Sequence, residues 1–132
     1  MELAEYFTSA QGTGVLATAD ADGNVDVAVY ARPHVIDSET VAFLMADKLS
    51  HANLQSNPHA AYLFLEGAAR YQGRRLALTK VREESDPQKI RVMRRRPLPT
   101  SCQQDDGRKR YLVYFHVDGV RPLVGDGEGE GA

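Results

Sequence analysis

The chain contains a single cysteine, Cys102, among 132 residues. One thiol excludes an internal disulfide and a cysteine-based metal site, and it fits a reducing compartment. Cys102 stands among polar loop residues, where an incidental thiol is expected rather than a nucleophile. Long apolar runs are also missing. None approaches the roughly 20 residues that cross a bilayer, and the opening Met-Glu-Leu-Ala-Glu lacks the basic start and apolar centre of a signal peptide. A cytoplasmic location without membrane attachment is expected. Excess charge of one sign is absent as well: the formal net charge is −2, so no general affinity for nucleic acid or anionic lipid is expected. At this length the chain has room for one core.

The common catalytic signatures are absent too. No GxSxG, Walker A or GxGxxG pattern occurs, which removes the usual support for hydrolase, nucleoside triphosphatase and Rossmann readings. The four histidines, His34, His51, His59 and His116, form no HExxH or comparable ligand pairing, so no metal site is expected. His51 has the character of an exposed helical histidine within reach of an anion. His116 lies on the more polar side of the last strand, where it either faces a cavity or is hydrogen-bonded. The basic run IRVMRRR (90–96) follows Glu83, Glu84 and Asp86 within one helix length and has no interleaved aromatics. It reads as a solvated helix face rather than a nucleic-acid surface.

What is present is mostly short extended runs. Leu3, Tyr6 and Phe7 recur at helical spacing in residues 2–10, predicting a short amphipathic helix that Gly12 and Gly14 end. Runs 15–19 and 25–32 flank Asp20-Ala21-Asp22-Gly23-Asn24, a hairpin signal because Gly and Asn tolerate positive φ. In the second run Val25, Val27, Val29 and Ala31 alternate with Asp26, Ala28, Tyr30 and Arg32, so one of its two faces should meet the core. Runs 34–36 and 40–46 form another hairpin. A polar helix, strands 59–66 and 74–83, a helix opened by Asp86-Pro87 and a last strand from Tyr111 follow. Residues 100–110 lack periodicity and are expected to be a mobile loop, and the tail 126–132 is Gly/acidic and expected to be flexible. The resulting fold class is mainly β with short helices: about six antiparallel strands in a closed or partly closed barrel, one domain over 1–125.

The stretch ADKLSHANL (46–54) breaks an apolar strand into a helix start. A helix capped by Ser50 would aim its unpaired N–H groups and positive dipole end outward, where a phosphate is favoured. Lys48 would add a full charge, while Ser50 and Asn53 would add neutral donors. The plainer reading is a surface helix that Ser50 simply caps, with Lys48 solvated.

In their order along the chain, VAVYARPHVIDSETVAFLMADKLSHANLQSNPHAAYLFLE, YQGRRLALTKV and YLVYFHVDGVRPLVG resemble the pyridoxamine 5'-phosphate oxidase-related family of flavin-binding split barrels. NLQSNPHAAYLF, a short helix ending in Asn-Pro before an apolar strand, is the most telling piece. The resemblance implies a six-stranded split β-barrel and a homodimer with flavin mononucleotide (FMN) at the subunit interface. It implies that Lys48, Ser50 and Asn53 hold the flavin phosphate, and that Val29, Tyr30, Ala31, Leu44 and Met45 border the ring system. Arg32, His34, Lys80 and Arg121 follow as candidates for the ring's electron-rich side or the partner's cleft. An FMN-dependent oxidoreductase acting on a small-molecule substrate or electron donor is therefore expected. The alternatives are a protein that binds, stores or senses flavin, haem or a deazaflavin without turnover, and a ligand-free interaction barrel. The pyridoxal-forming oxidases carry Arg-bearing segments near both ends for which no counterpart is found, so vitamin B6 oxidation is not expected.

Overall fold

The structure, a computed structural model, describes residues 3–9, 11–67, 72–93 and 109–125. Its elements run α1 (Leu3–Ser9), β1 (Gly12–Ala19), β2 (Val25–Tyr30), β3 (His34–Asp37), β4 (Thr40–Ala46), α2 (Leu49–Ser56), β5 (His59–Glu66), β6 (Gly73–Glu84), α3 (Pro87–Met93) and β7 (Arg110–Pro122). All strand pairs are antiparallel, in one sheet of order β2-β1-β5-β6-β7-β4-β3. That makes seven strands among the described residues, matching the seven extended runs of the sequence, where the barrel was expected to have about six. The expected tail 126–132 and most of the expected loop 100–110 lie outside the described residues.

β2 and β3 are consecutive in the chain yet occupy opposite edges of the sheet. The sheet curls until these edges approach. The Tyr30 ring on β2 meets the Phe43 ring on β4 edge-on at 5.9 Å, and the Tyr62 hydroxyl on β5 donates to the backbone oxygen of Ala31 at 3.0 Å. A barrel split between β2 and β3 results, and curling shields edges that a flat sheet would expose. Its inner face carries Leu16, Val41, Phe43, Met45, Tyr62, Phe64, Leu76, Leu78, Val113 and Phe115, all buried. Helix α1 adds Leu3, Tyr6 and Phe7 to this core, with Phe7 edge-on to Phe64 at 5.5 Å. The Arg32 guanidinium then donates through Nη1 to the carbonyls of Phe7 (2.9 Å) and Thr8 (3.4 Å). These lie in the last turn of α1, where carbonyls lack helical partners and a cation is favoured.

The Gly-rich start of β1 belongs to the strand rather than to a helix stop. A Cβ on Gly14 would stand 1.9 Å from the Tyr62 hydroxyl, so the bare backbone here is what admits the buried tyrosine. Gly14→Ala must therefore displace Tyr62 or spread β1 from β2. Overpacking of this kind costs about 1–3 kcal/mol, which urea unfolding would register as a lower midpoint with an unchanged slope.

The alternation in β2 resolves against its most apolar side. Tyr30 turns inward and packs on the core, while Val25, Val27 and Val29 stay 72, 63 and 66% exposed. The register continues that outer side across the sheet, Val29 beside Val15 beside Leu63, and Val27 beside Ala17 beside Ala61 beside Ala77. On the β4–β7 side the outer surface is covered instead. Ile90 of α3 packs there with Ala42, Leu112 and Tyr114, with Leu44 alongside. Asp86 opens α3 as the sequence predicts, its carboxylate accepting from the Gln88 backbone N–H at 2.9 Å.

Candidate functional site

The corner between β4 and α2 is fixed by backbone bonds from both sides. The Lys48 N–H donates back to the Ala46 oxygen at 2.9 Å, and the Asp47 N–H donates to the Lys109 oxygen at 3.2 Å, just ahead of β7. Because these bonds settle the turn early, α2 starts sooner than its serine suggests. Lys48 takes the N-cap position in extended conformation (φ −133°, ψ −165°), and its own side chain makes no capping hydrogen bond. Ser50 is thus not the cap but the second helical residue, and it is buried. Lys48 is exposed.

The buried side of α2 is largely polar, with Ser50, His51 and Asn53 beside the core residue Leu54. Asn53 donates through Nδ2 to the Thr18 hydroxyl on β1 at 3.0 Å, both groups being buried, so at least one of its donors points into the barrel rather than outward. His51, expected at an exposed position, is buried and stacked on Tyr111 of β7 at 3.8 Å between ring centres, 13° from parallel. Its Nε2 lies 3.1 Å from Glu83 on β6. Glu83 also accepts from Gln55 at 3.1 Å and from Lys80 at 2.6 Å. Burial alone would raise the Glu83 pKa, but the hydrogen bonds from Lys80, Gln55 and His51 outweigh it and hold it down to about 2. Asp47, the acid at the corner, has its carboxylate 3.6 Å from His51 Nδ1. Sequence reasoning missed this network because its members come from α2, β6 and β7. Lys109 lies just ahead of β7, outside the strand, with its Nζ 5.3 Å from the Tyr111 ring centre and its backbone securing the corner, a role the sequence did not reveal.

The residues expected around a ring system divide by environment. Val29 is exposed on the outer valine side, whereas Tyr30 and Ala31 are half-buried at the split. Both of the latter present backbone oxygens to the Tyr62 hydroxyl, at 3.4 and 3.0 Å. On β4, Leu44 is half-buried against the α3 cluster, and Met45 is enclosed in the core with no exposed surface. A ligand at this strand would therefore meet the backbone of Met45 rather than its side chain. Continuity from Met45 through Lys48 to Ser50, with the Tyr30–Phe43 contact, joins the end of β4 to the split. The remaining candidates disperse. Arg32 is bound to α1, Lys80 to Glu83, His34 pairs with Ala42, and Arg121 is exposed and pairs with Arg75. His116 is hydrogen-bonded to Asp118 at 2.8 Å on the outer surface. Its pKa is raised by that bond.

The sequence model of the pyridoxamine 5'-phosphate oxidase family matches residues 1–117. The chain belongs to this family. No curated protein matches it. Among solved structures, an FMN-binding protein from Syntrophomonas wolfei subsp. wolfei superposes with a TM-score of 0.71 at 17% identity, over 91% of this chain and 82% of that one. An F420 reductase gives 0.67 at 19% identity, over 88% and 94% of the two chains. A conserved hypothetical protein of Mycobacterium tuberculosis, Rv2991, gives 0.61 at 25% identity, over 92% and 84%. The fold of this family member is the split barrel of FMN-binding proteins. Among the described residues, no helix is long and apolar enough to cross a membrane.

Proposed function

We propose that the protein binds FMN as a homodimer and works as a flavin-dependent oxidoreductase. The observation that carries this reading is the start of α2. Its N-cap residue, Lys48, makes no side-chain cap, and Lys48 and Ser50 stand there in a chain of the pyridoxamine 5'-phosphate oxidase family. First-turn N–H groups have no helical acceptor, and together with the helix dipole they favour a phosphate. Lys48 supplies the full positive charge and Ser50 a hydroxyl donor. Asn53, by donating to Thr18, and His51, by its stack on Tyr111, hold the helix at a fixed angle to the barrel. The cofactor's ring system lies against Val29, Tyr30, Ala31 and the Leu44–Met45 backbone. When bound, the flavin supplies the electron transfer, and the chain's residues supply binding, orientation and exclusion of water.

The homodimer reading rests on the outer valine side. A row of Val25, Val27, Val29, Leu63 and Leu65, each at least 38% exposed, is an apolar surface that a second copy of the chain would cover. Val29 then lies at the seam, consistent with a cofactor held between subunits. The partner in electron transfer is a small-molecule substrate or electron donor.

The visible spectrum of the freshly purified protein tests the reading first, with flavin bands expected. Lys48→Ala and Ser50→Ala should then release FMN while leaving riboflavin affinity nearly unchanged. Losing a charge-assisted contact to a phosphate costs about 1.5–3 kcal/mol, or about tenfold to a hundredfold in Kd. Equal loss of both ligands would remove the phosphate from this corner.

A further inference from the structure

Helix α2 is short, and apolar contacts anchor it weakly. Of its buried residues Ser50, His51, Asn53 and Leu54, only Leu54 is apolar, so hydrophobic packing alone does not fix the direction in which the first-turn N–H groups point. A carboxylate from outside the helix contributes the missing constraint. Glu83 on β6 meets His51 Nε2 at 3.1 Å and accepts from Gln55 Nε2 at 3.1 Å. His51 and Gln55 stand four residues apart on one face of α2, so a single side chain holds the helix at two points along its axis. The Gln55 amide also donates to the His51 carbonyl at 3.1 Å, which ties these two points together.

The strand is shaped to place this carboxylate. β6 and β7 shift register between Lys80, opposite Phe115, and Arg82, opposite Tyr114, so Val81 is an extra residue on β6. In a regular strand, residues three apart face opposite ways. Across this bulge Lys80 and Glu83 come side by side, Nζ to Oε1 at 2.6 Å. Lys80 thereby offsets the Glu83 charge, and what Glu83 passes to the first turn of α2 is orientation rather than repulsion of an anion. We infer that Glu83 is a positioning residue for the flavin phosphate: through His51 and Gln55 it aims the first-turn N–H groups of α2 and the Ser50 hydroxyl at that group. This role presupposes the flavin reading above and adds to it a residue of β6 that acts only through α2.

The probes are FMN and riboflavin, each titrated at pH 7 into flavin-free full-length protein and followed by flavin fluorescence. Losing one aligned N–H from the phosphate weakens FMN by about tenfold. Glu83→Ala should therefore bind FMN about tenfold more weakly than the wild type, with riboflavin affinity unchanged. Glu84→Ala is the control. Glu84 is the next carboxylate on β6 and serves Arg82, Lys89 and Tyr114 instead, so its loss should lower the melting temperature and leave the ratio of the two affinities as it was. Gln55→Ala removes an exposed amide and one of the two holds on α2. It should lower the ratio about threefold, half the larger effect on a logarithmic scale, and it decides if Glu83→Ala does not fold. A high wild-type ratio that Glu83→Ala or Gln55→Ala leaves unchanged, or tighter FMN binding by either, would overturn the positioning role while the flavin reading stands. Equal wild-type affinities for the two ligands would overturn the phosphate site and this role with it.

Discussion

Leu63→Asp is expected to convert the proposed dimer into monomers and to release the flavin proposed at its seam. Leu63 stands at the middle of the outer apolar side, with Val15 on one neighbouring strand and Arg75 on the other. In the monomer it is 38% exposed, so an aspartate there is solvated and the barrel should fold normally. In the dimer the same carboxylate, and its copy, would be pressed against valines and leucines. Arg75 beside it already donates to the Pro122 and Gly125 carbonyls, so the enclosed carboxylate would be poorly paired, which costs several kcal/mol, enough to dissociate a micromolar dimer. Val92→Asp is the control, since Val92 is also exposed and apolar but lies on α3, across the sheet from the valine side. Sedimentation velocity should show a monomer for the first variant and a dimer for the second. A wild-type monomer, or a Leu63→Asp dimer, would exclude this face as the interface.

The second large effect is loss of stability in acid, carried by Glu83. Its pKa is held at about 2 in the folded protein against an ordinary value of 4.5. A depressed carboxylate contributes stability that is fully present above the unfolded value and is lost as pH falls toward the folded one. The window is therefore about pH 4.5 down to 2. A shift of this size corresponds to about 3 kcal/mol at most, and partial exposure reduces it to about 2. Protonation would leave the Lys80 ammonium facing a neutral acid and loosen His51 and Gln55 together. Glu83→Gln keeps the shape and removes the titration. Urea unfolding at pH 7 should find the variant about 2 kcal/mol less stable, with the difference shrinking as pH falls below about 4.5 and approaching zero only below about pH 2. A gap that persists unchanged at low pH would show that the carboxylate's charge is not what holds α2 to β6.

Much of this barrel could be read from residue spacing alone. The β1–β2 turn forms as its Asp-Gly-Asn content implies, with the Asp20 carboxylate accepting from the Asp22 and Asn24 N–H groups and Gly23 at φ 86°. Asp86-Pro87 opens α3, and the strand runs follow their alternation. What spacing could not decide was which side of β2 faces inward. Period two defines two faces but not their environments, and here Tyr30 wins the interior through Phe43 while the valines are left for another surface. The beginning of α2 was equally hidden. A serine ahead of a helix reads as a cap, yet backbone bonds to Ala46 and to the distant Lys109 begin the helix at Lys48. Gly14 reads as a break until the Tyr62 hydroxyl, 48 residues away in sequence, requires its bare backbone. His51 and Glu83 similarly show no local pattern, because their contact depends on how β6 and β7 curl under α2.

Fluorescence titration of flavin-free protein with FMN and with riboflavin tests the central claim most directly. The two ligands share every ring contact and differ only in the group assigned to Lys48, Ser50 and the first turn of α2. The account predicts saturable FMN binding, one flavin per chain, with riboflavin weaker by about a hundredfold. No uptake of either ligand, or equal affinity for both, would contradict it.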